Sequence, residues 1–581
     1  MRAKSQFRIF PSLHGKRMCA EIVHLFALKG RVMKKVGSIE SAAADASLVI
    51  RMPAIPDRYN IGVDVCTKWA KGAERLALIY DTGESIQRFT FQDIETLSNQ
   101  TADLLRDAGV APGVRVALMA PQRPETAYVH VAIYKAGAIA VPLFPLFGEE
   151  AIEHRLSDSG AEVLVTDRQG VEKLRAIRHR LPMLKRVFCI DGGMDGADDF
   201  HAARQGCRDD FVAVDTCSDD PALIIYTSGT TGKSKGALHA QRVLLGHLPG
   251  VEMSHGGLGL SDDLMWTPAD WSWIGGLLDV LMPAWHHGVA VVARRFEKFD
   301  AKLAIDLMAR HRVRNVMLPP TALKILRAET TVGRDYGLSL RSVASGGESL
   351  GAELLDWGRA VLGVQINEFY GQTECNMVVS SCDRFFPAKP GWMGKAVPGH
   401  DVRVIDASGK VLPAGKLGLI AVHQPDPVTF LGYWNNPKAT EEKFIGEYLI
   451  TGDQGEMDEA GFIRFVGRDD DVITSAGYRI GPGPIEDCLL GHAAVRQAAV
   501  IGVPDDKRTE VVKAFIVLNE GYRADDALTR ELKEHVRCKL AGHEYPRLIE
   551  YLDDLPTTTT GKVLRRELRM RTQHAVAGTQ A

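Results

Sequence analysis

From about residue 60 onward, apolar runs with the length of strands alternate with stretches of helical periodicity. Such runs are VRVALMA at 114–120, AEVLVTD at 161–167 and ALIIYTS at 222–228. Strands that alternate with helices are typical of layered α/β structures in which most strands run parallel. The pattern therefore predicts an α/β fold for most of the chain, and the absence of a repeat of fixed period argues against solenoids and propellers.

The pattern of predicted secondary structure changes twice toward the C-terminus. Between 401 and 466 the segments become short and β-like, with Gly/Asp turns. After the acidic turn at 467–471 we expect a compact α+β tail, with strands at 498–503 and 513–518 and a helix near 526–540. At 581 residues the chain exceeds the size at which a single core stops growing, so at least two domains are expected. We predict a basic, poorly ordered leader at 1–55, a large domain of layered α/β subdomains plus a β-rich subdomain at 56–469, a small α+β domain at 470–572 and a tail at 573–581.

The first 35 residues carry nine Lys and Arg residues against a single acid, Glu21. This is the composition of a transit peptide. A non-folded leader or an over-long start is the alternative that we favour, since Met18 and Met33 could each begin the protein. The compartment signal of this leader therefore stays open.

Charge, hydropathy and cysteine usage narrow the class of partner. The formal net charge of -3 provides no field that would attract nucleic acid. The promising apolar run after Val129 is interrupted by Lys135, so no integral membrane segment is expected. Nine cysteines without a CxxC pair predict reduced thiols rather than a disulfide framework or a zinc site. We therefore expect a cytoplasmic protein that acts on small molecules.

The apolar strand that ends at Tyr226 is followed by a loop rich in Gly, Thr, Ser and Lys. Glycines let backbone N–H groups approach a polyphosphate closely, while hydroxyls and lysines add donors and positive charge. The loop is not a Walker A motif, because Thr227 stands five residues before Gly232, where that motif needs a glycine. The residues that we assign to this phosphate cradle are Thr227, Ser228, Gly229, Thr230, Thr231, Gly232 and Lys233.

The string YTSGTTGKSKG closely resembles the phosphate loop of the adenylate-forming superfamily, which contains acyl-CoA synthetases, adenylation domains of peptide synthetases and luciferases. Further blocks agree in order and spacing: SGGE at 345–348, EFYGQTE at 368–374, TGD at 451–453 with GRDDD at 467–471, and TGKVLRR at 560–566. The resemblance covers about residues 60–570. It implies an enzyme that uses ATP and Mg²⁺ to convert a carboxylic acid into an acyl-adenylate and then transfers the acyl group to coenzyme A.

The resemblance also implies roles for individual residues. Lys562 would neutralise charge between the carboxylate and the α-phosphate, to which Thr373 would offer its hydroxyl. Glu374 would hold Mg²⁺, a hard cation that takes carboxylate and phosphate oxygens. Asp453 would accept hydrogen bonds from the ribose hydroxyls, with Arg468 at the same end of the nucleotide.

Other positions are implied for the remaining nucleotide contacts and for the moving domain. The remaining nucleotide contacts are Gly347, Glu348, Glu368, Phe369 and Tyr370. Asp470 matches the hinge about which the small domain swings between the two half-reactions. That rotation would bring Gly477 and Arg479 toward the incoming coenzyme A.

The block ADWSWIGG at 269–276 resembles the acyl-site helix entry of the acetyl-CoA synthetase branch and its medium-chain relatives, and it implies an acyl pocket that includes Trp273 and Ile274. Acetate-specific members have a tryptophan where Gly371 stands, and larger side chains at Gly275 and Gly346. The three glycines predict room for a short- or medium-chain acid. The alternative is that the glycines serve tight backbone turns.

Several alternatives remain at this level. The acyl group could be loaded onto a carrier protein in trans, the chain could be a catalytically silent nucleotide-binding relative, or it could be a luciferase-like oxidase. Lys562 also looks like the acetylation site of the family, which implies a lysine acetyltransferase and deacetylase as partners. The neighbouring Arg565 and Arg566 are expected to be solvated surface residues of a basic tail.

Overall fold

The computed structural model describes residues 39–40, 49–71, 74–227, 234–348, 350–468, 471–475, 478–505, 508–540, 544–557 and 563–579. Most of the basic leader lies outside these ranges. Strands Ile39–Glu40 and Val49–Ile50 pair with each other, and the Ile50 side chain is fully buried in an apolar cluster with Met253 and Val397. The folded part of the chain therefore begins before the boundary at 55 that we expected.

The first large sheet lies in the N-terminal part and is mostly parallel, as the alternating pattern predicts. The three apolar runs at 114–120, 161–167 and 222–228 all become strands of this sheet. In spatial order its strands are Gly432–Tyr433, Lys235–Ala240, Pro221–Thr227, Ile139–Pro142, Arg115–Met119, Val163–Thr166, Arg186–Cys189 and Asp198–Asp199. The central strands are buried throughout because helices cover the sheet.

A second sheet joins a parallel half to the antiparallel β-rich region that we expected between 401 and 466. In spatial order its strands are Val402–Ile405, Gly418–His423, Tyr448–Met457, Phe462–Arg468, Gly394–Ala396, Cys375–Ser380, Ile366–Gln372, Ser342–Gly346, Asn315–Met317, Leu264–Trp266, Ala290–Ala293, Leu76–Asp81 and Ile86–Thr90, with Phe444–Ile445 paired to Tyr448–Met457. The strands Ile366–Gln372 and Cys375–Ser380 form a hairpin at the centre of this sheet, and we call it the central hairpin.

The C-terminal part forms its own sheet and core, which confirms the expected small α+β unit. Its strands are Tyr478–Ile480, Ile473–Ser475, Thr509–Leu518 and Val495–Asp505, with Leu548–Tyr551 paired to Thr509–Leu518. The predicted helix is observed as Asp526–Lys539. The last helix, Arg565–Thr579, continues past 572, so the separate tail that we expected from 573 is the end of this helix for as far as the structure describes it.

The helices of the N-terminal part cover both large sheets. They are Lys68–Ala70, Phe91–Asp107, Pro124–Lys135, Glu149–Ser159, Arg168–Ile177, Phe200–Arg204, Val243–Ser254, Ile274–Gly276, Met282–His286, Ala301–His311, Pro320–Glu329, Ala352–Trp357 and Pro437–Glu441, with π-helical turns at Val63–Thr67, Leu277–Leu281 and Gly358–Leu362 and a 3₁₀ turn at Arg178–Arg180. In the C-terminal part, helix Pro482–Leu490 precedes the two helices already given.

Lys135 shows how the fold accepts a charge inside an apolar run. Its side chain is 1% exposed, and its ammonium donates to Glu95 Oε2 at 2.7 Å, Ser98 Oγ at 3.0 Å and Asn99 Oδ1 at 2.7 Å. Three acceptors match the three donors of an ammonium group, so the burial leaves no proton unpaired. No helix within the described ranges is long and apolar enough to cross a membrane.

Candidate active site

Asp453 is the centre of a buried polar cluster at the edge of the central hairpin. Its Oδ2 accepts hydrogen bonds from the Tyr370 hydroxyl at 2.6 Å and from Gln372 Nε2 at 2.8 Å. Arg468 faces it from the opposing strand, with Nε 3.3 Å from Oδ1. Oδ1 accepts no hydrogen bond from any residue that the structure describes. The site therefore holds a fixed carboxylate with one free acceptor, which suits the hydroxyls of a ribose.

Burial and charge act on Asp453 in opposite directions. The residue is 3% exposed, and this burial raises the pKa of its carboxyl, while the nearby Arg468 guanidinium lowers it. Lys443 lies on the other side of the cluster, where its Nζ donates to the Thr451 carbonyl at 3.3 Å. The cationic groups favour the ionised carboxylate that ribose binding needs.

Glu374 lies at the turn of the central hairpin and is 7% exposed. The Tyr433 hydroxyl donates to Glu374 Oε1, and the Phe430 backbone N–H donates to the Glu374 carbonyl at 3.0 Å. The Lys235 ammonium is 5.1 Å from the centre of the Tyr433 ring. Glu374 is thereby held beside strand Gly432–Tyr433, which pairs with the strand that follows the phosphate loop.

The donor set around Glu374 fits a magnesium ion. No described residue forms a hydrogen bond to Glu374 Oε2, so one carboxylate oxygen is free for a hard cation. The described residues contain no group of three or more His, Cys, Asp or Glu side chains arranged for a metal. Mg²⁺ at phosphate-transfer sites is typically held by one or two carboxylates together with the substrate phosphates and water, so a single protein ligand is sufficient.

The phosphate loop connects two antiparallel strands. Thr227 ends strand Pro221–Thr227 and pairs with Lys235 at the start of the returning strand. Ser228, Gly229, Thr230, Thr231, Gly232 and Lys233 lie outside the described residues. His154 anchors the far end of the loop, with Nε2 2.8 Å from the Ser234 carbonyl oxygen.

Three of the remaining nucleotide contacts that we predicted, Glu368, Phe369 and Tyr370, lie on strand Ile366–Gln372, and the other two directly follow the adjacent parallel strand Ser342–Gly346. Burial raises the pKa of Glu368 to about 8. Gly347 has a φ of +98°, which favours glycine at this turn. Glu348 is half-buried, and its Oε2 is 3.8 Å from Lys324 Nζ. The strand ends thus bring the SGGE and EFYGQTE blocks together, as their order in the superfamily implies.

The acyl-pocket prediction needs correction at two of its glycines. A Cβ atom added to Gly371 would lie 2.6 Å from Met377 N, and one added to Gly346 would lie 2.4 Å from Cε2 of the Phe369 ring. Both glycines are required by close packing inside the central sheet, so neither marks a cleared pocket floor. Gly275 differs, because its Cβ position meets only the flexible end of Met317 at 3.3 Å and one Asp279 oxygen at 3.6 Å. Of the three glycines, only Gly275 remains a candidate for a position that makes room for the acid.

Trp273 belongs to an aromatic group near the end of strand Pro221–Thr227. Its ring centre is 5.5 Å from that of Phe144 and 5.9 Å from that of Phe147. Together with Tyr226, which directly precedes Thr227, these rings line a small cleft. Ile274 begins the short helix that leaves this cleft.

Several predicted residues of the small domain cannot be placed. Lys562, Asp470 and Gly477 lie outside the described residues. The Arg479 backbone pairs with Thr474 in the strands Tyr478–Ile480 and Ile473–Ser475, and its side chain is outside the described part.

The expectation that Arg565 is solvated is wrong. Arg565 Nη2 donates to both carboxylate oxygens of Glu486, at 2.7 and 2.8 Å, and its Nη1 is 3.7 Å from Asp471 Oδ2. Arg569, one helical turn later, also pairs with Asp471. The last helix is thereby tied to the residue next to the predicted hinge. Arg566 is exposed, as expected.

Sequence reasoning missed some of the residues that complete the site. Gln372 stands inside the quoted block EFYGQTE, so its proximity to Asp453 could have been anticipated. Tyr433 lies 59 positions from Glu374 and Lys443 lies 71 positions from Gln372, and no local pattern marks either one.

Comparison with known proteins places this geometry in a family. The model of the AMP-binding enzyme family matches residues 66–434, and that of the AMP-binding enzyme C-terminal domain matches residues 484–562. The mitochondrial acyl-coenzyme A synthetase ACSM4 of Mus musculus is 34% identical over 534 residues, which cover 89% of this chain and 91% of that protein. The acetyl-coenzyme A synthetase of Bacillus subtilis is 34% identical over 507 residues, covering 85% and 87%.

Solved structures give the same result. The Brucella canis acyl-CoA synthetase superposes with a TM-score of 0.69 at 34% identity and covers 92% of this chain and 97% of its own. The anthranilate CoA ligase AuaEII in complex with anthranoyl-AMP superposes with a TM-score of 0.81 at 29% identity, covering 90% and 99%. The chain therefore belongs to the AMP-binding enzyme family. Within it, the chain is an AMP-forming acid–thiol ligase of the acyl-CoA synthetase class, which uses ATP, Mg²⁺ and coenzyme A.

Proposed function

We propose that the chain joins a short- or medium-chain carboxylic acid to coenzyme A at the site built around Asp453 and Glu374. The observation that carries the proposal is the Asp453 carboxylate, which is held by Tyr370 and Gln372 and keeps Oδ1 free for the nucleotide. Asp453 and Glu374 lie on two hairpins of the same sheet, and Tyr370 and Gln372 of the central hairpin bond to Asp453, so we expect one sheet to position both the ribose and the phosphates.

In the first half-reaction, a carboxylate oxygen attacks the α-phosphorus of ATP and the bond to pyrophosphate breaks. Two anions must approach each other, so neutralising charge is the main demand on the protein. Glu374 would hold the Mg²⁺ that supplies part of this charge. Thr373 and the phosphate cradle 227–233 would bind the phosphates, and Lys562 would contact the attacking carboxylate.

In the second half-reaction, the thiol sulfur of coenzyme A attacks the acyl carbonyl and AMP leaves with the bonding oxygen. We propose that the unit after Asp470 rotates between the two steps, so that Lys562 withdraws and Gly477 and Arg479 face the thiol. The ion pairs from Arg565 to Glu486 and from Arg569 to Asp471 support this proposal, because they couple the helix after Lys562 to the hinge.

We also propose that acylation of Lys562 regulates the enzyme and that it works in the cytoplasm. Acylation of Lys562 by a lysine acetyltransferase would remove the charge that adenylation needs, and a deacetylase would restore it. We propose the cytoplasm as the compartment, supported by eight cysteines of the described chain that are all free thiols.

Acid-dependent exchange of labelled pyrophosphate into ATP tests the first half-reaction without coenzyme A. We expect exchange with at least one acid in a panel from acetate to decanoate plus benzoate, and a thioester mass once coenzyme A is added. Exchange followed by acyl transfer only to a carrier protein would favour the carrier-loading alternative. No exchange with any acid would contradict the proposed activity.

A further inference from the structure

A carboxyl group lies in the apolar core beside the segment 273–276. Asp279 is 3% exposed, and it stands on the π-helical turn Leu277–Leu281, whose other four residues are buried and apolar. Its one hydrogen bond within the described chain runs from Asn376 Nδ2 to Asp279 Oδ1, at 2.6 Å. A carboxyl in such surroundings is strongly unfavourable with so few partners. π-helical turns are frequent at functional sites, so the position invites a functional explanation.

The second oxygen of Asp279 lies beside a glycine. No described residue forms a hydrogen bond to Asp279 Oδ2, and the empty Cβ position of Gly275 lies 3.6 Å from it. The amide oxygen of Asn376 likewise receives no hydrogen bond from the described residues, and it lies 2.6 Å from the Cβ position of Gly371. Two polar atoms that receive no hydrogen bond from the described residues thus lie near Gly275 and Gly371, and the room for a ligand is on the Gly275 side, because Gly371 packs closely against Asn376 and Met377.

Asp279 and Asn376 lie where the chain of a bound acid would end. Trp273, two residues before Gly275, lines the cleft together with Tyr226, which lies near the end of the strand that leads into the phosphate loop. Asn376 follows two residues after Glu374 on the central hairpin. An acid whose carboxylate is bound near the phosphate loop and Glu374 would therefore direct its chain past Trp273 toward Gly275 and Asp279.

Protonation defines what Asp279 offers to a ligand. Burial raises the pKa of this carboxyl well above its usual range, which favours the protonated form over the carboxylate. In the protonated form the proton belongs on Oδ2, because Oδ1 accepts from Asn376, and Oδ2 then faces Gly275 as a donor. Asn376 Oδ1 is an acceptor. A ligand hydroxyl can bond to both atoms, a keto oxygen can accept from Asp279, and a methyl group can do neither.

We propose that Asp279 and Asn376 form a polar end wall of the acyl pocket, and that the substrate is a short carboxylic acid whose chain carries a hydroxyl or keto oxygen. The inference rests on the proposed function, because it takes the acid to be bound with its carboxylate at the phosphate loop. A purely alkyl acid would leave both polar atoms buried and unpaired, which is the situation that buried polar pockets discriminate against most strongly.

The test compares matched acids that differ by one oxygen. We expect the wild-type enzyme to show kcat/KM at least about 10-fold higher for 4-hydroxybutyrate than for butyrate, or for 4-oxopentanoate than for pentanoate. Asp279→Leu should abolish or reverse that preference, and Asp279→Asn should keep part of it. Asp103→Asn, at another carboxyl that is 3% exposed in the N-terminal domain, is the matched control and should leave the ratio unchanged.

Each outcome bears on a different claim. An alkyl preference in the wild type would overturn the inference, as would an unchanged ratio in Asp279→Leu with unchanged thermal unfolding. If Asp279→Leu does not fold, the kcat/KM ratios of the wild type and of Asp279→Asn for the matched acids test the inference instead. Pyrophosphate exchange with both members of a pair at equal rates would remove this inference and leave the proposed function intact, whereas no exchange with any acid would remove the proposed function itself.

Discussion

The nucleotide side and the acyl side of the site are built in different ways. On the proposed nucleotide side, Asp453 receives two hydrogen bonds and faces a cation, and its partners stand on two strands of the same sheet. On the acyl side, Asp279 has a single partner and is otherwise surrounded by apolar residues. On our proposal, the nucleotide is bound by a polar cluster of several side chains, whereas the acid is bound by an apolar wall with one or two polar atoms. Specificity is therefore set by few residues, and recognition of ATP by many.

The largest effect is expected at Asp453. Asp453→Ala removes the ribose acceptor and leaves the Tyr370 hydroxyl and the Gln372 amide without their common partner. We expect kcat/KM for ATP to fall by about 100-fold or more, with the preference among acids unchanged. Steady-state kinetics with varied ATP check this, and Asp356→Ala at an exposed carboxylate is the control. A changed preference among acids would show that the two sides are not independent.

Gly371 sharpens the contrast from the acyl side. Because a Cβ there would overlap Met377 N, at 2.6 Å, we expect Gly371→Trp to strain the central hairpin rather than fill a pocket. All acids should lose activity together, and stability should fall by about 1–3 kcal/mol. Chemical denaturation and rates for acetate, butyrate and octanoate measure both. Selective retention of acetate by a stable variant would restore the reading of Gly371 as a pocket position.

Substitution of Arg565 tests whether the last helix contributes to the adenylation half-reaction. Arg565→Met breaks the two-pronged contact with Glu486 that fixes the helix after Lys562. We expect pyrophosphate exchange to fall by about 10-fold, while thioester formation from supplied acyl-adenylate is largely kept. Arg566→Met, at the exposed neighbour, should change neither rate. Equal losses in both half-reactions would indicate a purely structural role.

The smallest effect near neutral pH concerns His255, which lies behind the nucleotide side with Nδ1 2.7 Å from Ser342 Oγ. Burial lowers the pKa of His255 to about 3, so the folded state stays neutral while the unfolded state takes up a proton below about pH 6.5. Its contribution to stability is complete above that pH and is lost as the pH falls toward 3. We expect the difference in unfolding free energy between wild type and His255→Gln to be about 1 kcal/mol smaller at pH 5.5 than at pH 7.5, because only the wild type loses stability through this histidine. Urea unfolding at both values checks this, and parallel losses in the two proteins would contradict it.

The sequence supports the two sides to different extents for a physical reason. The proposed nucleotide-binding residues, such as Glu374 and Asp453, stand in short blocks because strand ends and turns place neighbouring residues against one ligand. The fold class and the large strands follow from apolar periodicity for a similar local reason. Arg565, Tyr433 and Asp279 acquire their partners only through long-range packing, and no local pattern distinguishes them. The glycines Gly346 and Gly371 were misread because the absence of a side chain looks the same in sequence whether it makes room for a ligand or for a neighbouring strand.

Oxygen transfer from a labelled acid tests the central claim most directly. In a single turnover with carboxylate-¹⁸O₂ acid, ATP, Mg²⁺ and coenzyme A, attack at the α-phosphorus predicts AMP that carries one ¹⁸O atom, unlabelled pyrophosphate, and a thioester that carries the other atom. Label in inorganic phosphate, or AMP without label, would contradict the formation of an acyl-adenylate at this site.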